Sequence, residues 1–508
     1  MAISTSGDGG SASHHRAARS RSSSRSSSRR LTRPVMGWSP WNAFKRSWNA
    51  SVFRESAQAM QANGMQSAGY EYILMDGGWW EGVDSGRASR NSKGDIKENA
   101  EKFGPGGIKE LVAFIKNRGF KYGHYTNAGR YACNGDKAFA MGFENRDASR
   151  FVREWNIDYL KVDSCGVRPY ERKRAIAKWR AALDRAGGSD VILNNCRIGC
   201  LSNEGVGVKN GDDAYVCKDF PTVRSIEEWC PAASDMHRTS NDIRPCWHSI
   251  MNNLDSLVGI LAEKNDHDGN ARRFWHDPDY LEVGNGGLTL NESRAQMALW
   301  SITSSPLIAG NDVRRMSRAV ADILLNMRAI SVNQQMGDTD SAFPFGGRFD
   351  PSDPTLVYSA ASTTEIWLKT LAENTVAVVM LNRGSASAAS VEVRFRDLPG
   401  ICPGPHPCSK STACTAVDVW EDASRVYEDA IRANLAPRSV AFYVLSKCAL
   451  ASRGTAVGAS DLVPVSSSAS RAYILILIVI AVTFVNVFSP ARARRRHYTT
   501  VSSQENGL

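Results

Sequence analysis

The sequence holds little that would mark a metalloprotein, a nucleotide enzyme or a nucleic-acid binder. Its 508 residues include nine histidines, and these do not recur at the short intervals that bring two or three imidazoles to one metal ion. No glycine-rich turn of the kind whose backbone amides cradle phosphate is present. Neither a metal nor a cofactor is therefore expected. The formal net charge of +10 hides a body without excess of either sign. Residues 1–33 carry seven arginines and residues 471–508 carry five, with a single acidic residue in each tail. What lies between has about 50 basic and about 50 acidic side chains, and a neutral body is poorly suited to neutralising a phosphate backbone. Nucleic acid is not an expected partner. No apolar run before Met36 is long enough for a signal-peptide core.

The unusual composition is at the ends. Ser11 to Arg30 is an arginine/serine tract with too little apolar surface to order itself, so residues 1–33 are expected to be a disordered arm. Ala472 to Phe488 is apolar except for Thr483 and Asn486. As a helix it would span roughly 26 Å, close to the ~30 Å hydrocarbon core of a bilayer. Arg471 flanks one end, and Arg492, Arg494, Arg495 and Arg496 flank the other. This pattern predicts a transmembrane helix over 471–491, a linker over 449–470 and a basic cytosolic tail over 492–508. Eleven cysteines fit an oxidising compartment. Asn49-Ala50-Ser51 and Asn291-Glu292-Ser293 are glycosylation sequons. The expectation is a membrane-anchored chain whose folded part is lumenal or extracellular, reached by a route with no visible signal.

Between Val35 and Met336 short apolar runs alternate with helical periods. Tyr72–Asp76, Tyr122–Tyr125, Asp158–Asp163 and Val191–Asn194 read as buried strands, and Ile108–Lys116, Ala148–Trp155 and Ala175–Arg185 as helices. Repeated strand–helix units imply an α/β fold with a parallel sheet. Polar residues end several successive strands, as in an eight-stranded (β/α)8 TIM barrel, so that barrel is expected over 34–336. After Met336 the texture becomes short β runs split by turns, such as Thr364–Leu368, Val376–Leu381, Val391–Phe395 and Val440–Leu445. An antiparallel β-sandwich is expected over 337–448, with Cys402–Cys414 as a loop inside it.

The chemistry concentrates in Trp275-His276-Asp277-Pro278-Asp279-Tyr280-Leu281-Glu282-Val283-Gly284-Asn285-Gly286-Gly287-Leu288-Thr289. Rings and carboxylates in one short stretch suit sugar binding, where rings stack on the apolar face and carboxylates grip hydroxyls. Asp163 and Asp242 add two more carboxylates upstream. With Met36-Gly37-Trp38-Ser39-Pro40-Trp41-Asn42, Tyr159-Leu160-Lys161-Val162-Asp163-Ser164-Cys165, Arg238-Thr239-Ser240-Asn241-Asp242-Ile243 and Ser305-Pro306-Leu307-Ile308-Ala309-Gly310-Asn311-Asp312, these blocks resemble, in order, the signatures of glycoside hydrolase family 27. That is the α-galactosidase and α-N-acetylgalactosaminidase family. The resemblance runs over roughly residues 34–445, about four-fifths of the chain.

The resemblance implies hydrolysis of terminal α-galactosyl residues with retention of configuration. One ionised carboxylate attacks the anomeric carbon, and one protonated carboxyl gives its proton to the leaving oxygen. Asp163 would be the nucleophile and Asp242 the acid/base. Lys161, on the same strand face as Asp163, would keep that carboxylate ionised, and Arg238 would lie near Asp242. Trp41, Asp76, Tyr125 and Asp279 match sugar-lining positions. Cys133 and Cys165 match a family disulfide, and Cys196 with Cys230 is a further pairing to consider. The expected partners are a carbohydrate substrate, the membrane through the C-terminal helix, and a second copy in a homodimer. Two positions depart from the family pattern. Asp76-Gly77-Gly78-Trp79 replaces an Asp-Asp-Cys-Trp that grips the 4- and 6-hydroxyls, and Cys196-Arg197-Ile198 places an arginine where the carbon-2 substituent is read. An arginine cannot accept a hydrogen bond. A related activity is therefore kept open: an α-N-acetylgalactosaminidase, a β-L-arabinopyranosidase, an α-1,6-glucan hydrolase, or a glycan-binding protein without turnover.

Overall fold

The computed structural model describes residues 31–85, 88–137, 140–196, 229–263, 275–335, 347–349, 363–371, 374–398, 401 and 412–450. The expected arm up to residue 30 and the membrane segment 471–491 lie outside these. Among the described residues no helix is long and apolar enough to cross a membrane.

Eight short strands form one parallel sheet: β1 Met36–Trp38, β2 Tyr72–Leu74, β3 Lys121–Asn127, β4 Tyr159–Asp163, β5 Ile192–Asn195, β6 Met236–Arg238, β7 Trp275–Asp277 and β8 Leu307–Ala309. Strands adjacent in sequence are adjacent in the sheet, and β8 pairs with β1. The segment just past β7 brings the sheet round on itself. There the Leu281 N–H donates to the Ile308 carbonyl at 2.8 Å, and the Gly310 N–H donates to the Leu281 carbonyl at 3.0 Å. β1, β2, β6, β7 and β8 have three residues each, too few for a periodicity to register; β2 lies in a longer apolar run, and the other four stand out in the sequence only as motif blocks.

Alternation along the strands divides their side chains in two. Tyr72, Leu74, Tyr159, Met236, Trp275 and Ile308 belong to one buried cluster, which fills the ring. Neighbours such as Ile73, Leu160 and Leu193 join a second cluster with the apolar faces of the outer helices. The helix Gly107–Lys116 illustrates the match, because it buries Ile108, Leu111, Val112 and Ile115 at the spacing of one helical face. Gly123 on β3 is required by close approach: a Cβ there would lie 2.3 Å from Leu74 Cδ2 and 2.9 Å from Tyr159 Cδ1.

The C-terminal region adds β9 Gly347–Phe349, β10 Thr364–Leu371, β11 Thr375–Asn382, β12 Ala389–Arg394, β13 Thr412–Asp418, β14 Ala423–Glu428, β15 Ala430–Leu435 and β16 Ser439–Leu450. A six-stranded antiparallel sheet in the order β14-β13-β16-β11-β10-β9 faces the pair β12-β15. Their facing side chains, among them Val376, Val378, Val391, Phe395 and Ile431, make a core of their own. A disulfide between Cys414 and Cys448 ties β13 to β16. Thr412–Cys414, expected to end a loop, instead begins β13, which pairs with β14 and β16.

The other face of the large sheet packs on the barrel. Trp367, Val379, Leu381 and Phe442 share a core with Leu299 and Trp300 of the barrel helix Leu290–Ile302. Ions pin this contact. Arg383 grips Asp255 of the helix Trp247–Glu263 through two bonds of 2.8 and 2.7 Å, and it holds the buried Glu365 of β10 at 2.7 Å. Glu292 serves twice: it completes a capping box with Thr289 and accepts from Arg438 at 2.9 Å. Replacing Arg383 by alanine would remove the cation between Glu365, which is 4% exposed, and a second acid, Asp255. Arg383→Ala is expected to lower unfolding stability by about 3–5 kcal/mol, measured by urea denaturation.

Candidate active site at the barrel mouth

The C-terminal ends of the strands carry two buried cations, and each is met by a carboxylate from another element. Lys161, two residues before the end of β4, donates from Nζ to Asp76 Oδ2 at 2.8 Å and to the Tyr280 hydroxyl at 3.1 Å. The Tyr280 hydroxyl in turn donates to the same Asp76 oxygen at 3.2 Å. Asp76 follows β2, and its other oxygen accepts from the Gly77 N–H at 2.7 Å. Burial works against the Lys161 charge, but Asp76 and then Tyr280 outweigh it and lift the ammonium well above its ordinary pKa. The two hydrogen bonds of the Lys161 ammonium go to Asp76 and Tyr280, two residues along the strand from Asp163.

Asp163 ends β4 and is organised by neighbours on its other side. Tyr125 of β3 donates from its hydroxyl to Asp163 Oδ2 at 3.0 Å, and the Ser164 N–H donates to Oδ1 at 2.8 Å. Both groups favour a carboxylate over a carboxylic acid. Tyr125 is fixed by the ring of Trp80, stacked at 6.4 Å between centroids, and Trp80 donates to Asp136 at 3.0 Å. A disulfide joins Cys133 to Cys165, whose sulfur lies 3.8 Å from Asp163 Oδ1. Although Cys133, Asp163 and Cys165 converge closely enough for metal ligands, both sulfurs are spent in the disulfide. Thiolates are what a soft metal would need.

Arg238 ends β6 and is shared. Its Nη2 lies 2.6 Å from Asp279 Oδ2 and donates to Asp242 Oδ1 at 3.2 Å. Asp279 is buried with Arg238, whereas the Asp242 side chain is 72% exposed and faces whatever enters the mouth. Burial of the surroundings opposes the Asp242 charge, but Arg238, then Lys161 and Arg244, overcome it and hold its carboxyl below the usual range. Asp279 is pushed the other way by its burial, against the pull of Arg238. Asp279 also has φ +81°, a left-handed conformation that costs a non-glycine residue about 1–3 kcal/mol. It is imposed by a lattice of bonds: the Asp279 N–H donates to Asp277 at 2.9 Å, the Tyr280 N–H to Asp279 at 2.8 Å, and the Ile243 N–H to Asp279 at 2.9 Å.

Asp76, Tyr125, Lys161, Asp163, Arg238, Asp242 and Asp279 thus gather through two connected groups of contacts. Trp41 lies on the short helix Trp41–Phe44 beyond β1 and packs, partly exposed, against the cluster that fills the barrel. Arg197 lies outside the described residues. Cys196, after β5, is a buried free thiol 3.8 Å from Arg238 Nη1, and Cys230 is bonded in another disulfide; the Cys196–Cys230 pairing is incorrect. Sequence reasoning missed Tyr280 and Trp80. Tyr280 was visible inside the Asp-Pro-Asp-Tyr block, but only the third dimension shows its hydroxyl reaching Asp76.

Residues 33–335 match the family described as alpha galactosidase A, and residues 361–445 match the family described as the alpha galactosidase C-terminal beta sandwich domain. Alpha-galactosidase 2 of Arabidopsis thaliana is 30% identical over 420 residues, which are 82% of this chain and 89% of the relative. Alpha-galactosidase A of Cellvibrio japonicus is 32% identical over 356 residues, 69% of this chain and 76% of the relative. The crystal structure of α-galactosidase I from Mortierella vinacea has the same fold, with a TM-score of 0.64 at 24% identity, covering 84% of this chain and all of its own.

Glu282 lies beneath this constellation. It is 1% exposed, and it accepts from Asn42 at 2.7 Å and from Asn285 at 2.5 Å. Burial raises its pKa from 4.5 to about 7, and the two amides oppose the rise only in part. A carboxyl raised in the folded state holds a proton that the unfolded chain releases. Its stabilising contribution is therefore complete below about pH 4.5 and is lost as pH rises through about 7. Glu282→Gln keeps the shape and removes the titration. The stability difference between variant and parent is expected to shift in the variant's favour by up to about 3 kcal/mol between about pH 4.5 and above pH 7, as followed by thermal unfolding across pH.

Proposed function

The chain belongs to the α-galactosidase family, glycoside hydrolase family 27, and from that premise we propose that it hydrolyses terminal α-galactosyl residues of oligosaccharides or glycoconjugates with retention of configuration. The observation that carries the reading is the pair of carboxylates at the barrel mouth, Asp163 organised as an anion by Tyr125 and Ser164, and Asp242 exposed beside Arg238. In this reading Asp163 attacks the anomeric carbon while Asp242 protonates the glycosidic oxygen, and the bond to the leaving group breaks. Asp242, now a carboxylate, takes a proton from water, and that water displaces Asp163 from the same carbon. The Lys161–Asp76–Tyr280 knot and the Arg238–Asp279 pair present polar atoms to sugar hydroxyls, and Trp41 presents a ring to the apolar face.

An acid must carry a proton, and Asp242 in the open protein is held below the ordinary carboxylate range. Filling the mouth with substrate removes water from around it beside the anionic Asp163, and both changes raise its pKa. When Asp163 becomes esterified its charge disappears and the Asp242 pKa falls again, as the base step requires.

A second reading of the glycone rests on Gly77. An added Cβ there would meet Tyr125 at 3.4 Å and Trp80 at 3.7 Å, in ordinary contact, so the place of the missing family carboxylate is lined by rings. A pyranose without a hydroxymethyl group, as in a β-L-arabinopyranoside, suits that lining. For the rest of the chain we read 471–491 as a membrane anchor that leaves the barrel lumenal or extracellular. The apolar run and the disulfides at Cys133–Cys165 and Cys414–Cys448 support this. Release from membranes by an alkaline wash would remove that reading.

The test is a panel of nitrophenyl glycosides offered to the full chain. Turnover of the α-galactoside is expected, with kcat/KM reduced more than about a thousandfold in Asp163→Asn. Gly77→Asp is expected to raise the galactoside value about tenfold. A preference for the β-L-arabinopyranoside would select the second reading. No turnover of any glycoside by folded protein would refute the hydrolase.

A further inference from the structure

Two tyrosines are the only large aromatic side chains that are strongly exposed among the described residues: Tyr131 at 49% and Tyr170 at 74%. Both rise from neighbouring loops at the barrel mouth. Tyr131 lies four residues beyond Asn127, the end of β3, and Asn127 is in register with Asp163 on β4. Tyr170 lies in the turn Pro169–Glu171, which follows β4. The two loops are locked together. The Cys133–Cys165 disulfide joins them, and Asn127 donates to the carbonyls of both Tyr131 and Cys165. A Cβ on Gly129 would fall 1.6 Å from the Cys165 carbonyl oxygen, so the backbones touch. The Tyr131 ring lies across Gly166, with two ring carbons 3.2 Å from the point where a Cβ would stand. Arg168 donates to the Tyr170 hydroxyl at 2.6 Å, which holds that ring beside a guanidinium.

Folding does not account for these rings, since exposure forgoes the stabilisation that burial would bring. Their position does. If the proposed function holds, the glycone contacts Lys161, Asp76 and Tyr280 deep in the mouth, and the leaving group must project outward past Asp163 over the exposed rim. We propose that Tyr131 and Tyr170 form a binding platform for the leaving group, stacking on the apolar face of the pyranose next to the bond that is cut. The loops are fixed before substrate arrives, so little ordering is needed on binding. The ligand is thus a sugar attached to sugar, with an oligosaccharide favoured over an aglycone that lacks a ring.

The test compares kcat/KM for an α-1,6-linked galactosyl-glucose disaccharide with that for α-galactosyl fluoride, whose leaving group has no ring. Loss of a stacking partner is expected to lower the disaccharide-to-fluoride ratio about three- to tenfold in Tyr131→Ala, and in the same direction in Tyr170→Ala, which changes a different loop. Tyr131→Phe keeps the ring and is expected to restore most of the ratio. A ratio unchanged in both alanine variants, or a loss not restored by phenylalanine, would overturn the platform and leave the hydrolytic reading standing. A parent protein that cleaves neither substrate would overturn both.

Discussion

Two cations buried at the mouth of a barrel must both be neutralised, and most of the site follows from that constraint. An ammonium or guanidinium taken out of water costs several kcal/mol unless matched. Lys161 on β4 therefore needs Asp76 from β2 and the Tyr280 hydroxyl from beyond β7, across the ring. Arg238 on β6 needs Asp279 from that same segment. The stretch after β7 is thus common to both pairs, and its backbone also completes the barrel against β8. The left-handed conformation of Asp279 is the local expense of making one short segment serve three partners. Asp163, bonded to Tyr125 and Ser164, and Asp242, which shares Arg238 with Asp279, lie beside these pairs.

The parts of the molecule legible in the sequence are those with either a period or a dense motif. The helix Gly107–Lys116 and the strand Tyr159–Asp163 carry their apolar spacing openly. The three-residue strands β1, β6, β7 and β8 have no period to read, yet their motif blocks carried the resemblance. Contacts across the ring were not legible. Lys161 and Asp163 share a face, so proximity along the strand suggested a direct partnership. What the strand pattern does not show is that the ammonium also donates to Asp76, 85 residues away. The Cys196–Cys230 pairing fails across the ring as well: Cys196 is a buried free thiol beside Arg238, and Cys230 is bonded in another disulfide.

The departures from the family pattern bear on specificity more than on the capacity for catalysis. Gly77 removes a carboxylate but leaves the Asp76–Lys161 pair whole, and its place is bounded by Tyr125, which also serves Asp163. The surroundings of Gly77 and the carboxylate of Asp163 are therefore coupled through one tyrosine. The sandwich contributes at a distance. Arg383 holds it through Asp255 against the helix that follows β6, and Arg438 through Glu292 against the helix that follows β7; the loops that carry Asp242 and Asp279 lead into these two helices.

The central claim is that Asp163 forms a covalent bond to the sugar. A fluorinated α-galactosyl donor that loads quickly and hydrolyses slowly would test it most directly, with the labelled protein digested and the adduct located by mass spectrometry. The account predicts one galactosyl unit per chain, attached to the peptide that holds Asp163 and absent from Asp163→Asn. An adduct on Asp242 or Asp279, or turnover that gives product of inverted configuration with no adduct at all, would contradict it.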